Sequence, residues 1–258
     1  MKRSFLYLTI FCLTILAASA VVLYLQLPDV RILKKSYPYI IYQGGKKPPR
    51  VEFSLKKPAH WIGIEQISKV ALGAILVSED WTFYQHLGFD LSQIKEAMEE
   101  NWNAKKIVRG ASTITQQVAK NLYLTKNKNL WRKLKEFCIA IALEKHFKKK
   151  KILEIYLNII ELGKGIYGVG FASQYYFTKD PLELNAKEGA FLAMLLPSPK
   201  RYSKSFEKGK LTLYASQVIE SILKKMKMAG YLSVEEFEEM VRIPLSFERI
   251  TEEDLTPF

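Results

Sequence analysis

Apolar positions follow two rhythms along this chain. From Phe5 to Leu25 the sequence reads FLYLTIFCLTILAASAVVLYL, 21 residues without a charge. At 1.5 Å of rise per residue a helix of that length covers about 31 Å, close to the roughly 30 Å of a bilayer's hydrocarbon. This predicts a membrane anchor over residues 1–27. The competing reading is a cleaved secretory signal, with Lys2 and Arg3 in front and Ala18-Ser19-Ala20 as the cleavage site. A signal's apolar core usually has about 7–15 residues, whereas here the run continues through Val21, Val22 and Leu23. Helices buried in a protein core rarely go so far without a polar face.

Prolines interrupt residues 28–60, which predicts an extended juxtamembrane stalk with a short strand at 39–42. From Ile64 onward apolar residues recur at spacings of three and four. Ile64, Ile67, Ala71, Ala74 and Ile75 predict a helix ending near Glu79. Asp90 with Gln93 opens another through Met98, and Ser112 caps a third to about Leu124. A helix over 129–147 puts Leu130, Leu134, Phe137 and Ile141 on one face. Further helices fit 149–160, 186–196 and 207–228, and Ser233-Val-Glu-Glu236 is a capping box for a last short one. The expected fold is mainly α, with one domain of one or two lobes over 61–245 and a tail at 246–258.

Composition narrows the class without placing the body. Apolar residues at 48% and charged ones at 25% are ordinary globular values, and 23 glycines and prolines are too few for low-complexity disorder. Two cysteines exclude a disulfide scaffold; Cys12 lies in the apolar run, leaving Cys138 alone in the body. The net charge of +13 is spread in lysine pairs, such as Lys34-Lys35, Lys56-Lys57 and Lys105-Lys106. Solvated helix faces are the default for such pairs, and anionic headgroups gain weight beside an anchor. No nucleic-acid-binding signature is present. Basic residues flank the anchor on both sides, so their count leaves its orientation open.

The three histidines lack metal-ligand spacing, which predicts no metal site and argues against a zinc or Ser-His-Asp enzyme. Carboxylates, amides and bases remain. Glu79-Asp80 stands at a helix C-terminus, where the dipole disfavours anions, beside Trp81 and Phe83; proton affinity there should be raised, as suits a general base. Gly110-Ala111-Ser112-Thr113 opens a helix whose unpaired N–H groups could cradle an anion, with Ser112, Gln116 and Lys120 on one stripe. Arg132 and Glu136 lie one turn apart, either as an ordinary surface pair worth about 0.3–0.5 kcal/mol or as a cationic rim with an embedded carboxylate. Each segment alone reads as well as a wet helix surface.

Together, and in order, they resemble the motifs of the peptidoglycan glycosyltransferases, glycosyltransferase family 51. E-D-x-x-F-x-x-H-x-G is met at Glu79, Asp80, Phe83, His86 and Gly88; G-x-S-T-I-T-Q-Q-x-x-K-N runs from Gly110 to Asn121. R-K-x-x-E is Arg132, Lys133 and Glu136, and I-L-E-x-Y-L-N is Ile152, Leu153, Glu154, Tyr156, Leu157 and Asn158. The match covers roughly 60–230.

The resemblance implies a lysozyme-like domain with a head lobe and a membrane-facing jaw, placed outside the cytoplasmic membrane and polymerising lipid II. It implies Glu79 as catalytic base and Glu136 as the second important carboxylate. Ser112, Thr113, Gln116, Gln117, Lys120, Lys128, Arg132, Lys133 and Asn158 would bind diphosphate or sugar, and Asp80, Phe83, His86, Gly88, Gly110 and Glu154 would hold the motifs in shape. Lys128 stands where members commonly carry arginine; it keeps the charge and loses the bidentate fork. The stretch between Gly88 and Gly110 is expected to form a lip over the acceptor groove. Only 28 residues follow Gly230, so the monofunctional form is expected, without a transpeptidase domain. Implied partners are lipid II, the growing glycan strand, membrane lipids and division or elongation proteins. No cofactor is required, and a divalent cation (Mg or Mn) has room at the diphosphate. A lytic enzyme of the same fold and an inactive anchored scaffold are the rival readings.

Overall fold

A computed structural model describes residues 2–45, 47–105, 110–125 and 129–248. Helix α1 (Lys2–Leu25) is the apolar N-terminal run. Among the described residues it is the one helix long and apolar enough to cross a membrane, and its apolar window is not buried by the rest of the chain.

Residues 28–60, expected as a stalk, fold onto the body instead. Asp29 caps a 3-10 turn, Val30–Lys34, that sinks Val30 and Leu33 into the core. Strand β1 (Tyr37–Ile41) pairs antiparallel with β2 (Arg50–Ser54), Tyr37 facing Ser54 and Ile41 facing Arg50. Tyr37, Ile40, Val51 and Phe53 pack on the core from this ribbon. The strand expected at 39–42 is β1, two residues earlier at its start; β2, its partner, is too short and too half-buried a pattern to read through the prolines.

Helix α2 (Lys69–Glu79) starts at Ser68, whose Oγ accepts from the Ala71 N–H; a 3-10 turn at Ile64–Gln66 precedes it. The helix ends at Glu79 as expected and begins five residues later. Helix α3 (Leu91–Asn103) is capped by Asp90 and runs past Met98. Much of the expected lip is therefore helix, and residues 106–109 lie outside the described residues. Helix α4 (Ile114–Tyr123) is capped by Thr113, not Ser112. Next come α5 (Leu130–His146), α6 (Lys149–Ile159), the small antiparallel ribbon β3 (Glu161–Gly163) and β4 (Ile166–Tyr167), and α7 (Val169–Phe177). The glycines from 163 on hid α7 in the sequence. Helix α8 (Ala186–Leu195), single turns α9 (Pro199–Tyr202) and α10 (Lys204–Glu207), α11 (Leu213–Met228) and α12 (Val234–Arg242) follow, and residues 249–258 of the expected tail lie outside the described residues.

Every residue of α8 is buried, so it is apolar nearly all round and forms the centre of the body. Helices α2 and α11 pack on it, while α4 lies against both α5 and α6. Lys187, buried on α8, donates to the Val241 and Ile243 carbonyls at the end of α12. This satisfies two carbonyls that a helix terminus leaves without partners.

Spacing left the direction of the apolar face of α5 open. On α5 the residues turned inward are Glu136, Ile139, Ala140 and Leu143. The apolar stripe through Leu130, Leu134 and Ile141 faces out, Leu130 with 90% of its surface exposed. Periodicity locates a stripe on a helix but does not say whether protein or lipid covers it. Trp131, beside that stripe, donates its Nε1–H to the Gln26 side chain just past α1, at 3.2 Å.

Candidate active site

The site grows from the end of α2. Asp80 leaves helical geometry as the C-cap, and its buried carboxylate accepts the Ile114 N–H at 2.9 Å, joining the end of α2 to the start of α4. His86 Nδ1 accepts the Gly88 N–H, so the hydrogen-bond pattern assigns the ring proton to Nε2, which donates to Asp80 at 2.9 Å. Gly88 takes a left-handed φ of +90°, and a Cβ there would crowd Glu144 and the Ala140 carbonyl. Thr113 donates from Oγ1 to the Gly88 carbonyl at 2.7 Å and accepts the Gln116 N–H. Phe83 is fully buried beneath, with the Lys149 ammonium 4.4 Å from its ring centre. Asp80, His86 and Gly88 are thus linked to one another, and Asp80 to the start of α4.

This bracing delivers Glu79 to α4. The Gln117 Nε2 donates to Glu79 Oε2 at 2.7 Å. Tyr156, wholly buried on α6, reaches the other end of the same amide in a long contact of 3.4 Å. Burial pushes the Glu79 carboxyl above the usual carboxylate range, and Asp80 adds to it. The Gln117 bond and the Lys120 charge pull the other way.

Lys120 stands between the two halves of the site. Its side chain reaches solvent, yet the protein around it desolvates the ammonium enough to lower its pKa; Glu136 and Glu79 raise it, Lys133 and Arg132 lower it. Glu136 is buried on the inner face of α5. It binds Arg132 at 2.8 Å and Lys133 in a still shorter contact. Lys133 also reaches Ser112 Oγ at 3.2 Å. Arg132 Nε is buried without a hydrogen-bond partner among the described residues, leaving a donor unspent beside a cationic cluster.

The fold thus gathers Glu79, Gln117, Lys120, Ser112, Arg132, Lys133 and Glu136. Three expected ligands are committed elsewhere. Gln116 is buried and closes the α4 capping box, its Oε1 accepting the Thr113 N–H, so it is not on an open stripe with Ser112 and Lys120. Thr113 spends its hydroxyl on the same cap. Asn158 lies on α6, accepting the Ile62 N–H and donating to the Ile62 and Glu154 carbonyls, each at 2.8 Å. Glu154 accepts from Trp61 and Lys151. Both residues fasten the segment before α2. Gly110 borders the undescribed 106–109, and Lys128 lies outside the described residues.

Sequence reasoning missed two contributors. Tyr156 sat unremarked inside the fourth motif, and Lys225 on α11 extends its charge to Glu79 across 146 positions of chain. Only the fold could reveal Lys225. Among the described residues no three His, Cys, Asp or Glu side chains gather as a metal site. Chemically, the arrangement offers a carboxylate with raised proton affinity facing a group of cations, suited to taking a proton on one side and receiving an anion on the other.

The transglycosylase family profile matches residues 50–227. Penicillin-binding protein 1A of Aquifex aeolicus is 42% identical over 189 residues, 73% of this chain and 26% of that protein. The biosynthetic peptidoglycan transglycosylase of Nitrosomonas eutropha is 42% identical over 55% of this chain and 58% of its own length. That of Shewanella frigidimarina is 41% identical over 71% of this chain and 80% of its own. The chain therefore spans under two thirds of the first two relatives and most of the third.

Proposed function

The chain belongs to the transglycosylase family, and from that premise we propose that it polymerises lipid II into β-1,4-linked glycan strands at the outer face of the cytoplasmic membrane. The acceptor's 4-hydroxyl attacks the donor's anomeric carbon with inversion. As the new C–O bond forms, Glu79 takes the hydroxyl proton and the bond to the lipid diphosphate breaks. The diphosphate leaves with the electron pair, so charge compensation replaces protonation of the leaving group.

Lys120, Arg132 and Lys133 supply that compensation, and Glu136 holds the last two in place. A positioned base contributes about 10²–10⁴-fold. Ser112 and Gln117 orient the groups around it. A divalent cation, if present, would be carried by the substrate's phosphates; no step above is routed through one. Helix α1 anchors the chain, and the outward stripe of α5 beside its end suits the lipid-facing jaw.

The observation that carries this reading is the placement of Lys120 within electrostatic reach of both Glu79 and Glu136. A lytic enzyme needs one glutamate and has no use for three cations around a second. Full-length protein given purified lipid II in detergent should form polymer, and Glu79→Gln should reduce the rate at least a hundredfold while retaining lipid II binding. Near wild-type polymerisation by Glu79→Gln removes that residue from the mechanism. Fragments released from finished sacculi, with no polymer from lipid II, would select the lytic reading.

A further inference from the structure

Past the end of α2 lies a second feature that the chemistry above does not use. A cavity of about 280 Å³ is lined by Leu76, Val77, Trp81, Tyr84, Met228 and Tyr231, with Phe83 and Ala229 beside them. Its floor is apolar and buried, and the rings of Trp81, Tyr84 and Tyr231 stand exposed around it. Among the described residues none of their three polar tips, Trp81 Nε1 and the two hydroxyls, has a hydrogen-bond partner. The hydroxyls lie close enough for Tyr231, after burial, to raise the Tyr84 pKa.

The cavity is built rather than left over. A Cβ on Gly73 of α2 would come within 2.6 Å of Tyr231 Cδ1. A mid-helix glycine costs helix stability, and here it lets the tyrosine ring approach bare backbone. Trp81 is two residues beyond Glu79, which puts their Cα atoms within about 7 Å of each other.

We propose that this cavity is a sugar subsite that holds one pyranose ring of the glycan strand beside Glu79, an assignment that rests on the glycan-polymerising reading above. A pyranose has apolar C–H faces and a polar edge. It matches aromatic rims over an apolar floor with unspent donors at the periphery. The volume lies just under the roughly 300 Å³ at the lower end of small-molecule sites, enough for one ring rather than a disaccharide with its peptide. A polyprenyl tail would cover the same floor but make no use of the three polar tips around it.

The test uses full-length protein in detergent, titrated calorimetrically with a soluble tetrasaccharide of alternating N-acetylglucosamine and N-acetylmuramic acid, without lipid or diphosphate. Trp81→Ala should weaken binding at least tenfold, and Tyr231→Phe, which removes only a hydroxyl, about threefold. Gly73→Ala should approach the Trp81→Ala value by displacing Tyr231; thermal melts identify any variant whose loss comes from unfolding. Equal affinity in wild type and Trp81→Ala overturns the proposal, as does no binding by wild type. So does a loss in Trp81→Ala confined to a polyprenyl phosphate titrated in its place. The two readings separate cleanly. Trp81-dependent sugar binding without lipid II polymerisation keeps the subsite and removes the polymerase, and polymerisation with Trp81-independent binding does the reverse.

Discussion

Glu79 is held by opposing influences, and each has a measurable consequence. Burial raises its proton affinity while Gln117 and Lys120 favour the ion. Partial desolvation lowers Lys120. The pH profile of kcat/KM should therefore be narrower than free side chains would give. Its acid limb should lie above the ordinary glutamate value of about 4.3, and its alkaline limb below the lysine value of about 10.4. An acid limb at or below 4.3 would show that the buried carboxyl is not the group titrating. A stability effect follows from the same shift. A carboxyl with a raised folded pKa adds stability below its unfolded pKa and loses it as pH rises through the folded one. At neutral pH ionised Glu79 is then a net cost. Glu79→Gln, whose amide oxygen still accepts from Gln117, should raise Tm at pH 7 and make no difference below about pH 4. A lower Tm at pH 7 would contradict this. Glu79, Lys120, Arg132 and Glu136 were all legible in the sequence through ordered motifs. Their pairings were not, because sequence spacing does not say which side chain faces which.

At the scale of elements, capping chemistry predicted helix ends well where one side chain decides them. Asp90 and Ser233 cap α3 and α12 as expected, while Asn129, expected as the first helical residue, is the cap of α5. It failed where two neighbours competed: Ser112 and Thr113 are both good caps, and Thr113 won because its hydroxyl also reaches the Gly88 carbonyl. Asn158 shows the same limit, since a motif residue can serve a strut as readily as a ligand. All its amide hydrogen bonds go to Ile62 and Glu154. Asn158→Ala strands the Ile62 N–H and carbonyl and should cost about 1–3 kcal/mol. Urea unfolding should show this as a lower midpoint at constant m-value, with kcat and KM of the folded enzyme unchanged. A KM rise without a stability loss would return Asn158 to the substrate.

For the whole molecule the question is how the body meets the bilayer. The outward stripe of α5 lies beside the end of α1, tied to it through Trp131 and Gln26. Basic residues near an anionic surface add about 1 kcal/mol each, and the net charge is +13. Protein lacking residues 1–27 should still bind anionic vesicles, reversibly and less tightly at high salt. Leu130→Glu with Leu134→Glu should move it to the supernatant in a sedimentation assay. Because both leucines are exposed, stability should change by only about 0.5 kcal/mol. Equal sedimentation with and without the glutamates would mean that this face does not touch lipid.

By itself the sequence determined the apolar span, the helical body and the set of chemical groups. Those are properties of local composition and spacing, where hydrophobic period, caps and ordered motifs act within a few turns. Only the tertiary structure decided which apolar stripe faces outward and that residues 28–60 wrap the core rather than extend from it. It alone placed Lys120 and Lys225 within electrostatic reach of Glu79 and committed Asn158 to a strut. These outcomes depend on which surfaces meet across long stretches of chain, and burial, pKa and hydrogen-bond partners arise only at those meetings.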